Sequence, residues 1–134
     1  MKLNKTMQAL ATALNFRQMR EKLITSNIAN AETPGYKAKR LEFEDALAKA
    51  LDFEKTNSLK VSDEKHFNVG GGGFDNLEPE VFEDPNGIVS ENGNTVDRDA
   101  EMARLAENEV LYNASVQLLN KKLALRKYIL SSEK

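Results

Sequence analysis

The sequence predicts a mainly α protein. Long amino- and carboxy-terminal amphipathic helices pair as an antiparallel coiled coil or bundle, joined by a short second helix and a loop-rich middle with a small β-hairpin region. Three observations carry this expectation. Apolar residues recur at three- and four-residue steps at both ends of the chain. The middle is punctuated by Gly, Pro and Asn turn signals. A dense breaker, NIANAETPGY at residues 27–36, divides the first helical pattern from everything after it.

Composition narrows the function classes. A chain of 134 residues is one structural unit with room for a small core. Net charge is −2 with 30% charged residues, which gives no nucleic-acid footprint. Apolar content of 40% with 7% aromatics and no Trp is lean for a globule and suits helices that bury a stripe against a partner. The absence of Cys excludes disulfides and thiolate metal sites. The start, MKLNKTMQALATALNFRQMREK, lacks the apolar run of a secretory signal or spanning helix. The expectation is therefore a protein that stays in the cytoplasm or leaves it by a route needing no cleaved signal.

In the first helix the stripe is Leu3, Met7, Leu10, Leu14, Ile24 and Ile28, with Arg17 and Glu21 at two positions of the same register. Ala9, Ala11, Ala13 and Phe16 widen it. Such a helix gains its stability from packing, against either a bundle neighbour or another subunit, and periodicity does not separate the two. The breaker has local causes. Asn30 tolerates the left-handed conformation that closes helices. Thr33 is pushed to extended geometry by Pro34, and Pro34-Gly35 fits the centre of a type II turn. Lys37, Lys39 and Arg40 then form a basic cluster expected in a solvated or subunit-contacting loop. Residues 41–51 read as the short second helix, with Phe43, Leu47 and Leu51 at four-residue spacing.

Residues 52–94 change character. Strand candidates are 59–61, 67–69, 79–82 and 88–90, and Asp84-Pro-Asn-Gly87 looks like the turn of a hairpin between 81–82 and 88–89. The run Gly70 to Gly73 is followed by Phe74-Asp75 and not by Lys-Ser/Thr, so it reads as a flexible loop and not a phosphate cradle. His66 is the sole histidine and has a structural or surface role. Asp75, Glu78, Glu80, Glu83 and Asp84 lack calcium-loop spacing. No catalytic, cofactor or metal site is expected, and no small-molecule substrate.

The last helix begins near Asp97. Asp97, Asp99 and Glu101 crowd its first turn, where they cap free amides and complement the helix dipole. Its stripe is Met102, Leu105, Tyr112, Val116, Leu119, Leu123 and Leu130, flanked by a row of Leu111, Leu118 and Leu125. This width implies more than one neighbouring helix. Charged positions on the two seams, Arg17, Glu21, Glu109 and Arg126, are expected to fix register, with Arg17 and Glu109 a candidate pair. The resulting division is 1–30 with 95–134 as a terminal coiled-coil domain, 31–51 as Pro-Gly loop plus short helix, and 52–94 as a loop- and β-rich segment.

Ala29, Asn30, Thr33, Pro34, Gly35 and Tyr36, placed directly after a first helix, resemble the motif of the rod and hook family of bacterial flagellar axial proteins. The run NGNTVDRDAEMARLAENEVLYNA at 92–114, followed by Gln117-Leu-Leu, is similar to its proximal-rod branch. The resemblance covers both ends and the second helix, and leaves the glycine-rich middle without a family motif. It implies a structural subunit that self-associates helically with other rod proteins and the rotor-ring/rod adaptor in the periplasmic drive shaft. It further implies inner terminal helices that order on assembly, a Pro-Gly loop on neighbouring subunits, and export by the flagellar type III apparatus. Two rival readings remain at this stage: a small helical adaptor or chaperone binding one partner helix, and membrane-surface binding by the basic last helix.

Overall fold

The computed structural model describes the backbone of residues 4–60, 73–74 and 76–132, and the side chains of all of these except 53–60. The order is α1 (Lys5–Ala29), β1 (Lys39–Glu42), α2 (Glu44–Lys60), β2 (Glu80–Glu83) and α3 (Arg98–Ser132). Asn4 caps α1 by accepting from the Met7 amide at 2.9 Å, which supplies one of the free donors of the first turn. Asp97 does the same for α3 through the Ala100 amide at 3.2 Å. The two long helices pack along each other in opposite directions: Gln18 reaches Tyr112, while Arg126 reaches back to the Met7 sulfur.

α1 has two working faces. Met7 and Arg17 meet α3, and Leu10, Leu14, Glu21, Ile24 and Ile28 share that face by their spacing. On the other side Ala13 and Phe16 pack with Leu41 and Phe43, and Ala9 packs with Ala50 and Phe74. The residues that widen the stripe thus build the core, and the stripe itself forms the helix–helix seam. Phe16 and Phe43 meet with ring centroids 5.4 Å apart. The Arg20 guanidinium lies over the Phe43 ring at 4.6 Å, a cation–π contact.

The sheet corrects three expectations. Leu41 stands in a strand and not in the second helix, because burial against Phe16 and pairing with Val81 outweigh helical propensity. The helix begins instead at Glu44, one residue beyond Phe43 and the end of β1 at Glu42, and runs to Lys60, nine residues past Leu51. Residues 59–60 are therefore helical, while 61 and the strand candidate 67–69 lie outside the described residues, as do His66, Asp75 and Gly70 to Gly72. β2 matches the expected strand at 79–82 within a residue, but it pairs antiparallel with β1, Leu41 opposite Val81. The Asp84–Gly87 turn is present, with the Gly87 amide donating to the Asp84 carbonyl at 3.3 Å, yet residues 88–90 form no strand. The partner that the hairpin expectation sought next in sequence is taken by β1. The basic cluster is no free loop either: Ala38 is buried and Arg40 sits in β1 on two carboxylates.

Arg20 clamps α1 to the β1–α2 junction. Its Nε and Nη2 donate to the Leu41 carbonyl, and both terminal nitrogens reach the Glu44 carboxylate at 2.6 and 2.9 Å. Burial works to raise the Glu44 pKa, but the Arg20 hydrogen bond, the Glu44 and Phe43 amides and the Arg20 charge outweigh it and hold the group at about 2. The folded pKa lies below the ordinary 4.5, so this stabilisation is present above that value and disappears as pH falls toward 2. Glu44→Gln should melt below the parent at neutral pH, and the two melting curves should converge as the pH approaches 2, read by circular dichroism. Phe43→Ala, which removes the ring between Phe16 and Arg20, should cost about 3 kcal/mol in urea unfolding.

Candidate functional site

The Pro-Gly turn folds as its chemistry requires. The Tyr36 amide donates to the Thr33 carbonyl at 3.3 Å, and Gly35 takes φ +74, the positive value that the third residue of a type II turn needs. Asn30 departs from expectation: its φ is −100, so α1 does not close through a left-handed residue. Its amide and side-chain Nδ2 both donate to the Ser26 carbonyl, at 3.0 and 2.8 Å, and its carbonyl receives the Thr33 amide. Side-chain capping replaces the left-handed cap, and Gly35 alone supplies positive φ within the turn.

The turn is mated to residues 92–96 of its own chain. Asn94 is buried and its Nδ2 bridges the carbonyls of Asn30 and Thr33 at 2.8 and 2.7 Å. The Gly35 amide donates to the Asn92 carbonyl, the Thr95 amide to the Tyr36 carbonyl, and the Ala38 amide to the Thr95 hydroxyl. A Cβ on Gly93 would come within 3.4 Å of the Gly35 Cα, so the two loops touch through glycine backbone. Ala29, Thr33, Pro34 and Gly35 remain exposed on the outer side, Asn30 and Tyr36 half-buried.

Behind the turn lies Asn27, fully shielded from solvent. Its Oδ1 accepts from the Tyr36 hydroxyl at 3.0 Å and the Lys39 amide at 3.1 Å. Its Nδ2 donates to the Lys39 carbonyl at 2.8 Å and to Glu101 at 3.2 Å. All four hydrogen-bonding capacities of the amide are therefore filled. Glu101, equally buried, receives Arg40 at 2.6 Å and Arg104 at 3.1 Å on one oxygen, and Arg40 continues to Asp84 at 2.9 Å. One polar chain thus ties α1, the turn, β1, the end of β2 and α3. From the sequence alone Glu101 is a dipole-complementing residue of the first turn and Asn27 has no role of its own. The available signal was a polar Asn three residues past the buried Ile24, on a face that otherwise carries Ala and Phe.

On the seam, Met7 and Ile24 are buried, and Leu10, Leu14, Ile28, Leu105, Tyr112, Val116, Leu119 and Leu123 are half-buried. Leu3 lies outside the described residues. Met102 and Leu130 are exposed at the two ends of α3, because the positions facing α1 there are Glu101 and Arg126. Arg17 does not meet Glu109, which faces solvent. It exchanges hydrogen bonds with buried Asn108, its carbonyl accepting at 2.8 Å and its guanidinium donating at 3.4 Å. Burial and the nearby Arg20 charge pull the Arg17 pKa down, against Glu44 and Glu107. Leu111, Leu118 and Leu125 stand 39%, 45% and 58% exposed, a row that belongs to neither core cluster among the described residues. Among the described residues no cluster of His, Cys, Asp and Glu could hold a metal ion, and no helix is long and apolar enough to cross a membrane.

Asn27→Ala should destabilise the fold by roughly 3 kcal/mol, since it strands the Lys39 amide and carbonyl, the Tyr36 hydroxyl and a Glu101 oxygen. Asn27→Asp should cost more, because it sets a second carboxylate beside Glu101. Gly35→Ala should cost about 1 kcal/mol, from φ alone, because the added methyl meets nothing within 4 Å. Urea unfolding of the three variants checks the order.

Residues 7–37, which hold most of α1 and the whole turn, match the family model described as flagella basal body rod protein. Over most of its length the chain is similar to proteins named flagellar basal body rod protein FlgB. The Bacillus subtilis (strain 168) relative is 34% identical over 131 residues, covering 96% of this chain and 95% of the relative. That of Proteus mirabilis (strain HI4320) is 34% identical over 123 residues, 89% and 88% of the two chains. One from Cereibacter sphaeroides (strain ATCC 17023) is 38% identical over 114 residues, 85% and 84% of the two. With a helix pair, a Pro-Gly turn and similarity running from end to end, the chain belongs to the flagellar basal-body rod protein FlgB family.

Proposed function

We propose that the chain is a structural subunit of the bacterial flagellar basal-body rod, needed for motility and carrying no catalytic activity of its own. The observation that carries this reading is the row Leu111, Leu118 and Leu125, exposed along the flank of a helix whose neighbouring face already packs on α1. Leucines at seven-residue spacing along an exposed flank are buried when the helix is laid among other helices. Similarity to relatives named as rod proteins supports the same reading.

In this proposal the subunit adds helically to the proximal end of the periplasmic drive shaft, beside other rod proteins and the rotor-ring/rod adaptor. The terminal segments 1–30 and 95–134 form the inner assembly domain, and 31–51 presents the Pro34-Gly35 crest to neighbours. The segment 52–94 lies outward. The subunit reaches the rod through the flagellar type III export apparatus without a cleaved signal.

Deletion of the gene in its flagellated host, followed by electron microscopy of purified basal bodies, should leave rings without rod, hook or filament. Intact flagella would return the protein to the adaptor reading. Leu118→Glu should abolish swimming while leaving the far-ultraviolet circular dichroism of the purified chain unchanged, since Leu118 touches no core cluster.

A further inference from the structure

Two charged hollows flank the Glu42–Glu44 corner of the chain. One, of about 240 Å³, opens between α1, β1 and α3 and is lined by Arg17, Arg20, Arg104, Glu107 and Asn108 among others. Arg20 in it is matched by Glu44, and Arg40 by Glu101 and Asp84. Arg17 has no ion pair among the described residues. Its guanidinium lies 5.3 Å from the Phe43 ring centre and donates to the neutral Asn108 oxygen at 3.4 Å, its Nε is buried without an acceptor, and Glu44 and Glu107 line the same hollow without reaching ion-pair distance. Arg104 shares a single Glu101 oxygen with Arg40 and keeps 42% of its side chain exposed. A buried guanidinium nitrogen with no acceptor leaves part of the Arg17 fork open to a carboxylate from outside.

The other hollow, of about 480 Å³, is acidic: Asp45, Glu78 and Glu80 line it with Glu42 and Glu44. Asp45, Glu78 and Glu80 are exposed, and among the described residues none has a cation within ion-pair distance. Glu42 and Glu44 line both hollows, and among the described residues no ion pair joins Arg17 or Arg104 to Asp45, Glu78 or Glu80.

We propose that the Arg17 cleft receives the carboxylates of Glu78 and Glu80 from a second copy of this chain. Charge complementarity selects that occupant: each copy carries one hollow whose lining has more cations than carboxylates and one edge of exposed carboxylates without an ion pair among the described residues. Two different patches in contact make a heterologous interface, the kind that propagates from copy to copy instead of closing as a two-fold pair. Arg17 supplies the directional fork and Arg104 the second cation. This rests on the reading of the chain as an assembling rod subunit.

The chain has no cysteine, so an Asn76→Cys, Glu107→Cys double variant places one thiol two residues from Glu78 and one in the lining of the Arg17 hollow. Oxidation of basal bodies isolated from cells carrying it should give a disulfide-linked dimer on a denaturing gel. Adding Glu80→Lys, an exposed change that leaves the fold intact, should remove the dimer band. Arg17→Glu should remove it too, and Arg17→Glu with Glu80→Arg should restore it. Rods that form without the dimer band, or a band that survives Glu80→Lys, overturn the proposal and leave the rod reading standing. Absence of rods from the parent strain overturns both.

Discussion

The fold depends on one buried amide. Asn27 sits where α1, the Pro-Gly turn, β1 and α3 converge, and every donor and acceptor it owns is used. Through it the backbone of Lys39, which belongs to a strand, is fastened to a helix that ended ten residues earlier. The constraint runs both ways. A fully buried amide is tolerable only if all its partners are present, so the turn must return Tyr36 and Lys39 to within hydrogen-bond reach of position 27. The type II geometry at Pro34-Gly35 achieves that return.

Glu101 extends the same logic to the second long helix. A carboxylate with no solvent exposure is costly unless paired and hydrogen-bonded, and here two guanidiniums and the Asn27 amide compensate it. Because the pairing partners come from β1 and α3, the register between α1 and α3 is set at one end by polar geometry. Asn108 with Arg17, and Arg126 with Met7, repeat the device farther along. Polar positions on a helix seam fix register at some expense in stability, and in this chain they recur along the whole seam.

The long helices, the turn and the strand near residue 80 were legible in the sequence because each rests on local chemistry: apolar spacing, a proline's fixed φ, a glycine's positive one. What was not legible lies in pairings across long sequence separations. Arg40 and Glu101 are 61 residues apart, and nothing local distinguishes Arg40 from Lys37 or Lys39 as the cation that goes inside. Leu41 is helical by its neighbours and a strand residue by its distant partner Val81. The hairpin expectation failed for the same reason, since a turn signal specifies a reversal but not which strand the returning segment joins. Asn94 was hidden in a run of turn formers whose job is to bind the other turn, through Asn30 and Thr33.

The distribution of apolar surface then follows. The core proper is small: Phe16, Leu41, Phe43 and their alanine neighbours on one side of α1. The seam between α1 and α3 is half-buried and heavily polar, so the helix pair has a defined register without a thick apolar interior. Leu111, Leu118 and Leu125 stand exposed along the flank of α3, and past Arg126 Tyr128, Ile129 and Leu130 are exposed as well. A chain with this division is specified by its internal hydrogen bonds and completed by what lies beside it. Burial of the outer row in a neighbour adds the hydrophobic stabilisation that the monomer's lean core does not supply, which places the largest reserve of apolar surface on the helix that assembly would enclose.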